Sequence, residues 1–402
     1  MKGFFSNSAP VKTTAPRLAQ CGKCGLSKKC ISPKMEVTGT GKHKILFVAE
    51  APGEQEDRQG TQLIGEAGQL LRSSLEEVGV DLEDCWKTNA VICRPPKNKI
   101  EPYMISCCRP NLLKTIHTFK PHTIVILGAS ALESLLFQEW KKNIGPLGKW
   151  IGWNIPSAQY NAWLCPIYFP PFGSVFHMVQ MSTDKLLLKL FQQHLANAIN
   201  LKNKKVVNYS IEDLKSKVEV ILDPRQAQHR LNDLYKKEGI LAFDYETTGL
   251  KPDKFGQRIV SVSFCLNGED TFALMINDNK QTEMLSRILR SPKLKKVASN
   301  IKFEERWTRA MFGHGVRRWY WDTMLAAHAL DNRSQICSIK FQSYIHLGIS
   351  DYDSHIYPYL YTKQPNGMNK IDQVDPKELL LYNGLDSILE YKIMEKQRKM
   401  FK

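Results

Sequence analysis

Four apolar residues, Ile240 to Phe243, run without a break into Asp244-Tyr245-Glu246, and no other stretch limits the fold as tightly. The run is too short for a helix and reads as a buried strand. Side chains two apart on a strand leave from the same side, so Asp244 and Glu246 present two carboxylates together. Held that close, two like charges are costly unless a divalent cation neutralises them. Far downstream, Tyr382 and Asp386 stand four apart in the helical pattern Glu378 to Met400, so a phenol and a carboxylate share one face. Between these segments, Ser299-Asn300-Ile301-Lys302-Phe303-Glu304 reads as a strand end entering a helix that carries Trp307 and Met311.

The rest of the chain follows the same alternation. Ile45 to Val48 enters the tight loop Ala51-Pro52-Gly53, and Gly65 to Val80 has helical periodicity with Leu70, Leu71 and Leu75 on one side. Trp86 to Ile92 and Thr123 to Leu127 read as further buried strands, the second followed by a helix from Ala131 to Trp140. Alternating strands and helices imply a largely parallel sheet covered on both faces, with ligands at the carboxyl ends of its strands. After a helix from Leu186 to Ile199, the basic, Asn-rich stretch Asn200 to Asn208 interrupts the pattern. It restarts with Val218 to Leu222 and a helix from Arg225 to Lys237. Two α/β domains are expected from a chain of 402 residues: a loose arm over 1–20, a first domain over 21–200, a linker over 201–216 and a second domain over 217–402.

A formal charge of +16, split evenly between the two halves, points to an anionic partner, because Lys and Arg gain affinity by releasing counterions from phosphates. The Lys-rich stretches Lys202 to Lys205 and Lys293 to Lys296 fit either contact with DNA or ordinary solvated faces. No long uncharged apolar stretch and no signal-like start occur, so a cytoplasmic protein without a membrane partner is expected. Ten cysteines without an export signal argue for metal rather than disulfides. Cys21-Gly22-Lys23-Cys24 has the spacing of a metal loop, which by itself leaves zinc, redox and iron–sulfur roles open.

The three acidic segments together resemble the DEDD exonucleases, in the version with a tyrosine in the third motif found in family A DNA polymerases. The first motif is Asp244 to Leu250, the second Asn300 to Glu304 and the third Tyr382 to Asp386, over roughly residues 217–402. The resemblance implies an RNase H-like (DnaQ-like) fold with a mixed sheet, and hydrolysis of phosphodiesters at a 3′ end with two Mg²⁺ or Mn²⁺ ions. Asp244 would bridge the ions, Glu246 and Asp386 would complete the tighter site, Tyr382 would orient the attacking water and Glu304 would serve the looser site. The family's second motif ends in aspartate. Glu304 keeps the carboxylate on a longer arm.

The first half resembles the iron–sulfur uracil-DNA glycosylases, through Ala49 to Asp57, Gly65 to Leu71, Thr88 to Pro96 and Cys108 to Leu112. That similarity implies an α/β/α fold with a parallel sheet and a 4Fe–4S cluster on Cys21, Cys24, Cys93 and Cys108, with Cys107 an adjacent alternative and Cys30 a bystander. Excising uracil requires stacking the flipped base on an aromatic ring and reading its edge. Glu50 and Asn89 are retained for that work. Leu63 stands where the family has phenylalanine, and Phe169 stands where it has a histidine, with His177 too far along to replace it. The uracil pocket is therefore expected to be degenerate and the module to bind DNA or a partner, its cluster a structural staple.

One module followed directly by the other resembles the front part of certain phage DNA polymerases. The chain stops soon after Asp386, short of a polymerase palm, fingers and thumb. A proofreading subunit is expected, acting on single-stranded DNA or a frayed primer 3′ end beside a polymerase catalytic subunit made as a separate chain; a piece of a longer polymerase fits the residues equally. Two other readings are an active repair enzyme combining uracil removal with trimming, and a non-catalytic assembly protein of the replication machinery.

Overall fold

The computed structural model describes residues 18–168, 184–207, 209–362, 364 and 366–401. They fall into two compact units, Met1–Asn208 and Tyr209–Lys402. Among the described residues no helix is long and apolar enough to cross a membrane.

The first unit is built on five strands, β1 (Ile45–Ala49), β2 (Trp86–Asn89), β3 (Thr123–Leu127), β4 (Ile155–Ser157) and β5 (Ala162–Ile167), in the order β2-β1-β3-β5-β4. All neighbours pair in parallel except the edge strand β4, which runs antiparallel to β5. β1 and β3 are buried at every position, as a sheet covered on both faces requires. Leu71 and Leu75 of the helix Glu66–Glu76 and Phe191 and Leu195 of the helix Lys185–Ile199 pack with Ile45, Phe47 and Val125 in one core. The strand order reverses between β1 and β3, which opens the crevice where ligands of such sheets bind. Glu50, just past β1, spans that crevice by accepting the Ser130 N–H at 2.9 Å. β2 ends earlier than its sequence suggests, since the Ile92 carbonyl is taken by the Met35 N–H at 2.9 Å instead of a strand partner.

The second unit has a six-stranded mixed sheet. Its strands are β6 (Val218–Ile221), β7 (Gly239–Thr247), β8 (Ile259–Leu266), β9 (Asp270–Met275), β10 (Leu294–Ala298) and β11 (Trp319–Asp322), in the order β11-β10-β7-β8-β9-β6. β7, β10 and β11 are parallel, whereas β7, β8 and β9 form an antiparallel meander. Within the segment read as a linker, Ile211–Lys215 is a short helix: Ser210 caps it and Leu214 enters the core of this unit.

The helix Pro376–Met400 lies across β6, β7, β8 and β9. Pro376 supplies a fixed φ at its first turn, and the Asp375 carboxylate accepts the Lys377 and Glu378 N–H groups at 3.0 and 3.2 Å. A buried polar seam fixes the helix against the sheet. Ser261 Oγ donates to Asn383 Oδ1 at 2.9 Å and Ser263 Oγ to the Asn383 carbonyl at 2.8 Å. Unpaired, each of these groups would cost about 1–3 kcal/mol, so the seam permits one register.

Candidate functional site

β7 continues through Thr247, so Asp244 and Glu246 lie within the strand, two residues apart and on one side. The seam brings the long helix down over them. Asp244, Glu246 and Asp386 offer one oxygen each within 4.8 Å of one another. At that range two ionised carboxylates repel by about 3 kcal/mol at an effective dielectric of about 20. Three such pairs rival the net stability of a domain, about 5–15 kcal/mol. The chain answers in two ways. Burial, reinforced by Asp386, holds the Asp244 carboxyl well above its usual range, and burial together with Asp244 and Asp386 does the same for Glu246. Hydrogen bonds do the rest, with Asn383 Nδ2 donating to Asp244 Oδ2 at 2.7 Å.

Asp386 is the most heavily partnered of the three. Lys340 Nζ lies 2.6 and 2.8 Å from its two oxygens, and Tyr352 OH donates to Oδ1 at 2.5 Å. The same ammonium donates to Tyr382 OH at 3.0 Å and sits over the Tyr352 and Tyr382 rings, 4.6 and 4.8 Å from their centroids. Burial alone would lower the Lys340 pKa; Asp386, Asp353 and Glu246 outweigh it and raise it above the usual range. Burial also pushes both phenols up.

The second motif enters through Asn300, in the left-handed region at φ 71°, where β10 gives way to the helix Ile301–Phe312. Asp322, at the end of β11, makes this turn possible. Its oxygens accept the Asn300 and Ile301 N–H groups at 3.1 and 3.0 Å, and also those of Met324 and Leu325. Glu304 is 1% exposed and its Oε2 has no hydrogen-bond partner among the described residues. Burial, with Asp244 adding to it, holds its carboxyl well above the usual range. A fifth carboxyl, Glu390, stands one turn beyond Asp386. It accepts the Ser299 N–H at 2.9 Å through Oε1, while Oε2 is unpartnered among the described residues.

Lys340, Tyr352, Asp322 and Glu390 escape sequence reasoning because none lies in a motif, and Asn383, though inside the third motif, stands at a position that the Tyr382–Asp386 spacing does not mark. Three closely spaced oxygen donors, Glu246 and Asp386 buried and Asp244 half-buried, fit a hard divalent cation such as Mg²⁺.

In the first unit, Cys21, Cys24, Cys93, Cys107 and Cys108 line one recess. Cys21 and Cys24 begin and end a one-turn helix, Cys107 and Cys108 lie on the helix Pro102–Phe119, and Cys93 follows β2. Amide groups aim at two of the sulfurs: Lys34 N–H at Cys93 Sγ, 3.2 Å, and Ile92 N–H at Cys108 Sγ, 3.4 Å. Asn111 Nδ2 reaches Cys108 Sγ at 3.5 Å. Burial pushes the Cys93 thiol up to about 12 and raises Cys108 too. Donors to sulfur that offset such desolvation are what a thiolate-held cluster needs. Cys30 also packs beside Cys93 and Cys108.

At the crevice, Asn89 is buried and its Nδ2 has no partner among the described residues. Leu63, at φ 56°, turns its side chain into the core with Phe47 and Leu71. Phe169 and His177 lie outside the described residues, as do residues 1–17 of the expected arm.

Comparison with known proteins matches both halves. The model of the uracil DNA glycosylase superfamily fits residues 37–219, and that of the 3′–5′ exonuclease of DNA polymerase A type fits residues 218–402. The type-4 uracil-DNA glycosylase of Saccharolobus solfataricus is 38% identical over 164 residues, which are 39% of this chain and 73% of that protein. A DNA polymerase of Bacillus phage SP01 is 33% identical over 110 residues, 27% of this chain but 12% of that polymerase. Among solved structures, Escherichia coli RNase D, an exoribonuclease involved in structured RNA processing, is similar over 45% of this chain and 44% of its own, with 14% identity and a TM-score of 0.35.

Proposed function

We propose, for a chain that belongs to the type-4 uracil-DNA glycosylases in its first unit and to the 3′–5′ exonucleases of DNA polymerase A type in its second, that it edits DNA 3′ ends as a two-metal exonuclease beside a polymerase on another chain. The observation that carries this reading is the convergence of Asp244, Glu246 and Asp386 within 4.8 Å, across more than a hundred intervening residues. Asp244 and Asp386 would hold the cations with Glu246, and Glu304 would serve the looser site. When bound, such ions supply an activated water and stabilise charge on the attacking and leaving oxygens.

The protein's own groups do the placing. Asn383 keeps one Asp244 oxygen turned toward the helix, and Tyr382, whose hydroxyl accepts from the Lys340 ammonium at 3.0 Å, would orient the nucleophilic water. Asp322 and Glu390 anchor the two sides of the second motif, the first through Asn300 and Ile301 and the second through Ser299.

The first unit serves as a DNA- or partner-binding shell with a 4Fe–4S cluster on Cys21, Cys24, Cys93 and Cys108. Leu63 packed into the core offers no ring for a base to stack on, so excision of uracil is not expected. The Asn89 amide, unpartnered among the described residues, favours the second reading, in which uracil is still removed.

One substrate tests both: a 5′-labelled single strand carrying one uracil. With Mg²⁺ a stepwise ladder is expected, faster on DNA than on the matching RNA, and absent with EDTA or in Asp386→Ala. With EDTA and then hot alkali, no cleavage at the uracil is expected. A ladder that persists in Asp386→Ala overturns the exonuclease assignment, and an alkali-labile uracil establishes the second reading.

A further inference from the structure

The Lys340 ammonium is placed as a cation would be. It meets both oxygens of Asp386, lies against the Tyr382 hydroxyl and is enclosed by two aromatic faces. Its side chain is 19% exposed and that of Asp386 is 7% exposed, so this is no solvated surface pair worth a few tenths of a kcal/mol. With the Tyr352 hydroxyl also on Oδ1, neither oxygen of Asp386 is idle. A divalent ion taking up Asp386 must share or displace these donors.

We propose that Lys340 is a resident counter-ion of the acidic cluster and a positioning residue for Asp386 and Tyr382, holding them in place when no divalent cation is bound and competing with that cation for Asp386. The ammonium then sets the metal affinity and keeps the cluster from repelling itself open. This inference rests on the two-metal reading of the same site. It assigns Lys340 no contact with substrate.

The test compares the wild type with Lys340→Met and Lys340→Arg, by thermal melting in EDTA and by Mn²⁺ binding followed through the electron paramagnetic resonance of free Mn²⁺. Removing an opposite charge from the ligand should tighten Mn²⁺ binding by Lys340→Met about tenfold or more. In EDTA this variant should melt below the wild type, and saturating Mn²⁺ should close the gap. Lys340→Arg keeps the charge and should stay with the wild type in EDTA. Equal Mn²⁺ affinity in wild type and Lys340→Met, or a melting gap that Mn²⁺ leaves open, overturns the inference while leaving the metal site intact. Failure of the wild type itself to bind Mn²⁺ overturns the two-metal reading and this inference with it. Should Lys340→Met not fold even with Mn²⁺, the double variant Lys340→Met/Asp386→Asn decides: folding without metal supports charge balance, and failure to fold shows that Lys340 is a packing residue and ends the proposal.

Discussion

A carboxyl group that must ionise to hold a cation, but lies where burial opposes ionisation, makes stability depend on pH. Burial raises Glu304 well above the usual carboxylate range, and neighbouring Asp244 raises it further. Between the ordinary value, about 4, and the raised one, the folded state holds a proton that the unfolded state has released. The stabilisation is therefore complete at low pH and is lost as pH rises through the folded value. Glu304→Gln has no such proton to lose. In EDTA the melting temperature of this variant should gain on the wild type as pH climbs from 5 to 8; a constant difference would contradict the buried, protonated state.

The helix Pro376–Met400 carries Tyr382, Asn383, Asp386 and Glu390, and its seat on the sheet has little tolerance. A Cβ on Gly384 would lie 2.3 Å from Val218 Cγ1 and 3.3 Å from Val218 Cβ, on a β-branched side chain that cannot swing aside. Glycine in a helix interior costs about 1 kcal/mol relative to alanine, so close approach explains it here. Gly384→Ala should cost about 1–3 kcal/mol and reduce exonuclease activity, because Tyr382 and Asp386 flank the displaced turn. Adding Val218→Ala should recover most of both, as urea melts and primer degradation would show; an unaltered stability in Gly384→Ala would contradict the packing. Elements of this kind are legible in sequence where the signal is local: the apolar run into Asp244, the four-residue step from Tyr382 to Asp386, and the helical pattern from Glu378 to Met400. Lys340, Tyr352 and Asn383 are not, since their meaning comes from partners 46, 34 and 139 residues away. A lysine in the first turn of a helix looks like any solvated lysine until the fold brings a carboxylate to it.

At the scale of the whole molecule, two α/β units of similar length place chemistry by different means. One gathers cysteines from a one-turn helix, a strand exit and a helix around a recess; the other lowers a helix onto a strand to close an acidic cluster. The alternation of strands and helices announced both units, and the mixed order of the second sheet did not follow from alternation: it came from resemblance, because strand direction is fixed by long-range pairing that local patterns do not encode. Anaerobically grown crystals soaked in Mn²⁺ would test the account most directly, with anomalous diffraction recorded on both sides of the manganese and iron edges. Two manganese peaks are expected, one among Asp244, Glu246 and Asp386 and one between Asp244 and Glu304, each about 2.0–2.6 Å from carboxylate oxygens, with an iron peak amid Cys21, Cys24, Cys93 and Cys108. Absence of any manganese peak between those three carboxylates, in crystals where the ion binds elsewhere, would contradict the account at its centre.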